Sequence, residues 1–174
     1  MAKLAPRDFT IVASSPEMTE ELGRRLGCAL QAGDVLALIG ELGAGKTTLV
    51  RGVAAGLGMD PDVVKSPTFV LLREYSPAPS ATRLGGAGRP SLIHIDGYRF
   101  DNAQAVVWED VDWVFSPKKV TVIEWADRIG ESLPEAYLEI RLAHTSAKRR
   151  TLTLVPHGPR AQQLVESLQT PASH

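Results

Sequence analysis

The segment Gly40-Glu41-Leu42-Gly43-Ala44-Gly45-Lys46-Thr47 has the Gly-x4-Gly-Lys-Thr spacing of a P-loop, the strongest constraint that this sequence places on its fold. The glycines let backbone N–H groups approach phosphate oxygens closely, and the N-terminus of the helix that follows adds partial positive charge. We expect Lys46 to reach the β- and γ-phosphates and Thr47 to offer its hydroxyl to Mg²⁺. The predicted nucleotide-binding residues of this loop are Leu42, Gly43, Ala44, Gly45, Lys46, Thr47 and Thr48.

The residues around this loop supply the strand and the helix that a P-loop requires. Val35–Ile39 is a continuous apolar run, which is typical of a strand buried on both faces of a parallel sheet. A helix is predicted from residue 46 to about 57. Upstream, a strand is predicted over 8–13 and a helix from 16 to about 32. This order of elements predicts an α/β protein.

Further strands are predicted downstream at 68–74, Leu92–Asp96 and Val120–Glu124, and an antiparallel pair at 137–143 and 151–155. Residues 76–90 are rich in Pro, Ala, Ser and Gly, so 78–90 is interpreted as a flexible insertion within the domain. A short helix or turn is expected at 104–107 and an amphipathic helix at 159–168. Residues 160–174 form the C-terminal tail in this interpretation, and its end is expected to fray.

The composition fits one soluble domain over residues 1–174, since 44% of the 174 residues are hydrophobic. A formal net charge of −1 disfavours autonomous nucleic-acid binding. The single cysteine, Cys28, excludes an intrachain disulfide and fits a reducing cytosol, and its place on the predicted helix suggests a structural role. The N-terminus lacks the apolar core of a signal peptide, and no apolar run approaches the roughly 20 residues that span a bilayer. We therefore expect a cytoplasmic protein with no membrane association.

Two predicted strands end in acids, Asp96 and Glu124. Because ligands collect at the carboxyl ends of strands in open α/β sheets, at least one of these acids is expected to hold Mg²⁺. For Thr68, the residues alone favour a plain strand start over a switch-like role. His94 alternates with apolar neighbours and is interpreted as a buried sheet histidine, and residues 148–150 as a charged hairpin turn. No Asn-Lys-x-Asp element follows the apolar strands, which favours ATP over GTP.

Four blocks of residues occur in a fixed order over about 15–154. They are residues 40–48, Lys65-Ser66-Pro67-Thr68-Phe69 with Glu74-Tyr75 after it, His94-Ile95-Asp96-Gly97-Tyr98-Arg99, and Ile123-Glu124-Trp125-Ala126-Asp127-Arg128. The P-loop alone is generic, but together with Ser-Pro-Thr, His-x-Asp-x-Tyr-Arg and Glu-Trp it is specific. On these blocks the chain resembles the TsaE family (formerly YjeE), the small bacterial ATPases of tRNA threonylcarbamoyladenosine synthesis.

The resemblance implies a three-layer P-loop NTPase sandwich with a central, mostly parallel sheet and an antiparallel C-terminal strand pair. It implies ATP and ADP as ligands with Mg²⁺, and ATP hydrolysis that is slow when the chain is alone. It also implies two partner proteins, TsaB and TsaD, which modify adenosine 37 of tRNA. The chain would meet tRNA through that complex and would not itself perform the transfer.

The resemblance also assigns roles to individual residues. Lys46 and the loop amides hold phosphates, and Thr47 and Glu124 are Mg²⁺ ligands. Asp96 is needed for hydrolysis, near the metal or the attacking water, and Thr68 becomes a switch-like residue, against the preference stated above. The remaining implied nucleotide contacts are Trp125, Pro16, Thr19 and Arg149, with Lys148 and Arg150 as alternatives to Arg149.

Two departures from the family pattern stand out. Gly97 takes a place that is usually apolar, which is expected to loosen that strand end, and the insertion at 78–90 is longer than usual. A P-loop small-molecule kinase is the alternative function, although such kinases usually have their P-loop strand near the N-terminus. They also need an arginine-bearing lid, for which only 148–150 is available. A nucleotide-dependent interaction module with negligible hydrolysis is a third class.

Overall fold

The computed structural model describes residues 8–67, 71–78, 88–100 and 111–169. Its strands are β1 Phe9–Ala13, β2 Val35–Ile39, β3 Leu72–Tyr75, β4 Leu92–Asp96, β5 Val120–Glu124, β6 Tyr137–His144 and β7 Arg150–His157. Its α-helices are α1 Pro16–Ala29, α2 Lys46–Gly56, α3 Val111–Val114 and α4 Pro159–Gln169. Short 3₁₀ turns lie at Pro61–Val63, Ala126–Arg128 and Gly130–Ser132.

The strands form one sheet in the order β1-β7-β6-β2-β5-β4-β3. The four central strands β6, β2, β5 and β4 pair in parallel, whereas β7, β1 and β3 join antiparallel. The predicted α/β sandwich with a mostly parallel sheet and an antiparallel C-terminal pair is therefore confirmed. Because β2 is central, the P-loop that follows it opens between neighbouring strand ends.

Two apolar layers cover the sheet. Helices α1, α2 and α4 pack on one face through residues such as Leu26, Val53 and Leu164. On the other face, α3 and the 3₁₀ turns contribute Val114, Ala126 and Ile129 to a smaller cluster. Strands β4 and β5 are buried along their whole length, as their continuous apolar runs predict.

Helices α1 and α2 approach each other backbone to backbone. A Cβ added to Gly52 of α2 would lie 1.9 Å from the Glu20 carbonyl oxygen of α1, and one added to Gly23 of α1 would lie 2.2 Å from the Leu49 carbonyl oxygen of α2. Gly27 and Gly56 make the same kind of contact one turn further on. The P-loop helix is therefore seated directly on α1, with no side chains between them at these points.

Three predictions of local structure are corrected. Within the described residues, the strand predicted at 68–74 begins at Leu72 and ends at Tyr75, because Leu71 has a left-handed backbone with φ of 65°; residues 68–70 lie outside the described residues. Helix α1 ends at Ala29 rather than Ala32, since Leu30 is already extended. Cys28 is exposed and takes no part in the core.

Two other predictions fall largely or wholly outside the described residues. These are the short helix at 104–107 and the insertion at 78–90, of which only residues 78 and 88–90 are described. Within the described ranges, no helix is both long and apolar enough to cross a membrane.

Candidate nucleotide-binding site

The P-loop folds as its glycines require. Gly43 and Gly45 have φ of 77° and 104°, a region that side chains with a Cβ rarely adopt, and Gly45 is the N-cap of α2. No side chain forms a capping hydrogen bond with the first backbone amide groups of this helix. A helix N-terminus of this kind is suited to bind phosphate.

Lys46 is almost completely buried, and its ammonium group is held by the loop itself. Its Nζ donates to the carbonyl oxygens of Gly40 at 2.6 Å and Glu41 at 2.9 Å, and it lies 3.8 Å from the centroid of the Trp125 ring. Burial lowers the pKa of Lys46 below the ordinary lysine value, although the nearby carboxylates of Glu124, Asp96 and Asp127 oppose this. A buried cation with only neutral acceptors and an aromatic face is prepared to receive an anion.

Two acids meet at the carboxyl ends of β4 and β5. Asp96 and Glu124 are directly opposite each other in the parallel register, and both are buried. Glu124 accepts hydrogen bonds from the Thr47 hydroxyl, at 2.8 Å to Oε1 and 3.2 Å to Oε2. Asp96 accepts from the Ser66 hydroxyl at 2.9 Å and from the Tyr98 amide at 2.8 Å.

A cleft of about 510 Å³ opens over these groups. Its lining consists of Leu42, Gly43, Gly45, Lys46, Thr47, Thr48, Ser66, Asp96, Tyr98, Glu124 and Trp125. Leu42 stands at its rim, 82% exposed. The cleft therefore combines a glycine-rich P-loop, a buried lysine, a hydroxyl and two carboxylates.

An aromatic and cationic group borders the cleft. Trp125 has a left-handed backbone with φ of 56°, and its ring meets that of Tyr98 edge to face at 5.1 Å between centroids. The Arg128 guanidinium lies 4.8 Å from the Tyr98 centroid and 5.1 Å from the Trp125 centroid. These contacts hold the Trp125 ring beside Lys46.

Gly97 does not loosen the end of β4. Its amide donates to the Glu124 carbonyl oxygen at 2.8 Å, which continues the ladder between the two strands. A Cβ at this position would lie 2.7 Å from the Trp125 carbonyl oxygen. Glycine therefore permits the close approach of the chain at Trp125.

Most of the predicted site residues lie in or directly under this cleft. Ala44, which does not line it, is fully buried beneath the loop. Thr19 is buried behind the loop, with its Cγ2 3.7 Å from a Cβ placed on Gly45. Pro16 is exposed at the start of α1, and Arg149 is exposed in the turn between β6 and β7, so neither lines the cleft.

The basic turn nevertheless approaches the start of α1. The pKa of Glu17 is lowered by its own backbone amide, by the Ser15 hydroxyl and, more weakly, by the charge of Lys148. The Nε2 atom of His144, where the turn begins, lies 3.9 Å from a Cβ placed on Gly43. The turn that contains Arg149 thus lies near both the start of α1 and the P-loop, whereas Thr68 lies outside the described residues.

Three residues beside the cleft had no role in the sequence-based interpretation: Ser66, Tyr98 and Arg128. Ser66 bonds Asp96, while Tyr98 and Arg128 support Trp125. Their only signal in the sequence is their place within the blocks that carry the resemblance, because the contacts themselves join different elements.

The donor set is compatible with Mg²⁺ and a nucleotide. Hydroxyl and carboxylate oxygens are the ligands that Mg²⁺ prefers, and it usually takes one or two carboxylates together with substrate phosphates and water. Thr47, Glu124 and Asp96 provide such oxygens, and the glycines leave room for phosphate against the loop. In the described part of the chain there is no cluster of three or more His, Cys, Asp or Glu side chains able to hold a metal by itself.

Known proteins are similar to this chain over most of its length. The profile of the family "Threonylcarbamoyl adenosine biosynthesis protein TsaE" matches residues 13–152. The tRNA threonylcarbamoyladenosine biosynthesis protein TsaE of Bacillus subtilis is 35% identical over 156 residues, 88% of this chain and 89% of that protein. Its namesake in Streptomyces coelicolor is 42% identical over 145 residues, 80% and 91% of the two chains. The crystal structure of Bacillus subtilis YdiB superposes with a TM-score of 0.76 at 29% identity, covering 96% of this chain and 97% of that one.

Proposed function

The chain belongs to the TsaE family of threonylcarbamoyl adenosine biosynthesis proteins, and from that premise we propose that it binds and hydrolyses ATP to support threonylcarbamoyladenosine formation on tRNA. In this proposal it acts in the cytoplasm with TsaB and TsaD, which carry out the modification at adenosine 37. The observation that supports it best is the convergence of Lys46, Thr47, Asp96 and Glu124 on one cleft from three separate elements.

The proposed chemistry is phosphoryl transfer to water, for which a protein chiefly positions groups and stabilises charge. Lys46 exchanges its carbonyl partners for phosphate oxygens, and the first amides of α2 bind the same phosphates. Thr47 and Glu124 would hold Mg²⁺, which would supply positive charge to neutralise the charge that develops on the phosphate oxygens. Asp96, kept in place by Ser66 and the Tyr98 amide, would accept a hydrogen bond from the attacking water or support the metal.

The kinase alternative gains no support from the described residues. The P-loop follows the second strand, after β1 and α1, rather than opening the domain. The residues lining the cleft in the described ranges include no arginine, although a phosphoryl-transfer lid usually supplies one. Hydrolysis linked to partner proteins is therefore the better-supported function.

The experiment that tests the proposal is a reconstitution of multiple-turnover threonylcarbamoyladenosine formation with TsaB, TsaD and tRNA, with and without this chain. Wild-type chain should restore turnover and hydrolyse ATP. Lys46→Ala should do neither, because it removes the cation that binds phosphate, whereas Lys118→Ala, at an exposed position away from the cleft, should behave as wild type.

The possible failures separate the parts of the proposal. Equal turnover without the chain would contradict the role in modification. If the chain hydrolyses ATP but immobilised TsaB–TsaD does not retain it, with either ATP or ADP present, the ATPase assignment would stand and the assignment of these partners would be contradicted. Normal hydrolysis by Lys46→Ala would contradict the assignment of the P-loop.

A further inference from the structure

The imidazole of His94 is fully buried and takes no part in the chemistry proposed above. His94 lies in β4 between Leu92 and Asp96, and alternation places all three on the face of the sheet that packs against α2. Its register partner on β5 is Val122, two residues before Glu124. A polar ring in this apolar layer requires a hydrogen-bonding partner.

That partner is the carboxylate of Glu124. His94 Nε2 lies 2.8 Å from Glu124 Oε1, and both side chains are almost inaccessible to solvent. An ionised carboxylate only accepts hydrogen bonds, so the proton of this contact belongs to Nε2. The other ring nitrogen, Nδ1, is buried and has no hydrogen-bond partner among the described residues.

The absence of an acceptor for Nδ1 among the described residues favours one tautomer over the other. Burying an N–H group without an acceptor costs free energy, whereas burying an unprotonated ring nitrogen without a donor costs less. The arrangement therefore fits a neutral imidazole that carries its proton on Nε2 and donates it to Glu124.

The two oxygens of Glu124 are consequently unequal. Oε1 accepts from His94 at 2.8 Å and from Thr47 at 2.8 Å, whereas Oε2 has only the longer contact of 3.2 Å with Thr47 within the described ranges. With Oε1 occupied by two donors, Oε2 is the oxygen with acceptor capacity left for another ligand. A fixed donor behind a metal-binding side chain orients it and tunes its affinity.

We propose that His94 is the positioning residue of the metal-binding carboxylate, a neutral Nε2-protonated imidazole that fixes Glu124 so that Oε2 faces the Mg²⁺ of the bound nucleotide. The inference deepens the proposed function and rests on its assignment of Glu124 as a Mg²⁺ ligand. The two assignments are tested separately below.

Three substitutions form the test. His94→Leu removes the donor at similar volume, and His94→Gln places an amide N–H near the position of Nε2. Val122→Ala, at the register neighbour on the same face, opens a cavity without removing the hydrogen bond, so it reports core damage alone. Glu124→Ala sets the effect of losing the carboxylate.

The measurement is the dissociation constant of ADP by titration calorimetry, with Mg²⁺ and with EDTA. The dissociation constant in EDTA divided by the constant with Mg²⁺ measures the contribution of the metal to ADP affinity. His94→Leu should reduce that ratio about tenfold or more, the usual scale for loss of such a supporting contact, while the metal-free affinity stays near wild type. His94→Gln should recover most of the ratio. Val122→Ala should lower the melting temperature but leave the ratio unchanged.

Each other outcome contradicts the inference. An unchanged ratio in His94→Leu, with loss of the ratio in Glu124→Ala, would overturn the role of His94 and leave the role of Glu124 intact. An unchanged ratio in Glu124→Ala would overturn both. Equal losses with and without metal, reproduced by Val122→Ala, would show that His94 only stabilises the fold.

A second readout needs neither metal nor nucleotide. Long-range ¹H–¹⁵N spectra of the free chain should show the His94 ring protonated on Nε2 with Nδ1 bare, the signal being assigned by its loss in His94→Gln. A proton on Nδ1 alone would overturn the proposed donor.

Discussion

At the scale of single residues, Lys46 shows how the chain accommodates a buried cation without an anion in direct contact. Its ammonium group has two backbone carbonyls and the face of Trp125 as partners, and none of these is an anion in direct contact. Burial therefore lowers its pKa in spite of the surrounding acids. Binding of a polyphosphate would raise that pKa again, because phosphate favours the charged form.

We expect ADP binding to be coupled to proton uptake by Lys46 at a pH above the pKa of this residue in the free chain. Below the pKa of the free chain Lys46 is already charged, so affinity is constant; above it, binding must also protonate the amine, so affinity falls as the pH rises. Because burial lowers the free pKa, this fall should begin below the ordinary lysine range. Calorimetry in two buffers of different ionisation enthalpy measures the uptake. Constant affinity and no uptake through the lysine range would contradict the prediction.

At the scale of elements, the α1–α2 contact explains why the P-loop helix carries one glycine in its middle and another at its last residue. Gly52 and Gly56 lower helix propensity, yet their missing side chains admit the carbonyl oxygens of Glu20 and Arg24. The tight contact ties the middle and the C-terminal end of α2 to α1. The unfavourable propensity is therefore offset by packing.

Gly52→Ala should destabilise the fold although alanine is the better helix former. The gain in propensity is about 1 kcal/mol, but the new Cβ would lie 1.9 Å from a backbone oxygen, and forcing helices apart costs about 1–3 kcal/mol or more. Urea denaturation followed by circular dichroism measures the difference. Cys28→Ala, on the exposed side of α1, is the matched control and should be close to neutral. A more stable Gly52→Ala would contradict the close packing of the two helices.

Helix α4 is joined to the sheet by an ion pair across 126 positions of sequence. The Arg160 guanidinium donates to both oxygens of buried Asp34, at 2.9 and 2.8 Å, and to the Ala29 carbonyl oxygen at 2.8 Å. The hydrogen bond to Asp34 raises the pKa of Arg160 above the ordinary arginine value. This contact fixes α4 at the end of α1 and the beginning of β2.

Arg160→Ala should lower the free energy of unfolding by about 1.5–3 kcal/mol, since it leaves a buried carboxylate without its charged partner. The exposed pair Arg24–Glu21 offers a matched control. Arg24→Ala should change stability much less, because both side chains of that pair are about half exposed and screened by water. Equal effects of the two substitutions, measured by urea denaturation, would show that the Asp34 contact contributes no more than a surface pair.

At the scale of the whole molecule, the strand order brings the functional groups together. β4 and β5 are adjacent and parallel, and β5 also lies beside β2, so Asp96, Glu124 and the P-loop emerge at one edge of the sheet. The nucleotide would therefore contact several separate elements at once. A ligand that bridges elements of the folded state and does not bind the unfolded chain stabilises the whole fold.

MgADP at about 100 times its dissociation constant should add about 2.7 kcal/mol of stability, which for a chain of this size is a rise in Tm of about 5–10 °C. Differential scanning fluorimetry at several ligand concentrations measures it. The shift should be smaller in EDTA and absent in Lys46→Ala. An equal shift in that variant would place the nucleotide elsewhere.

The sequence by itself determined the features that depend on neighbouring residues. The P-loop spacing, the apolar run Val35–Ile39 and the acids that end β4 and β5 are local patterns, and they predicted the loop, the central strands and the position of each acid at the end of its strand. These succeed because backbone conformation and burial period are written into short stretches of chain. The same local rules misplaced the start of β3, since the left-handed turn at Leu71 has no glycine or asparagine to signal it.

Only the tertiary structure decided which side chains pair across elements. The sequence indicated that His94 is a buried sheet histidine, but its hydrogen bond to Glu124 depends on the register of β4 against β5. The partner of Arg160 likewise depends on where α4 packs. The four glycines of α1 and α2 are visible in the sequence, yet their purpose appears only when the helices touch. Such contacts depend on the relative placement of distant segments, which short-range propensity does not encode.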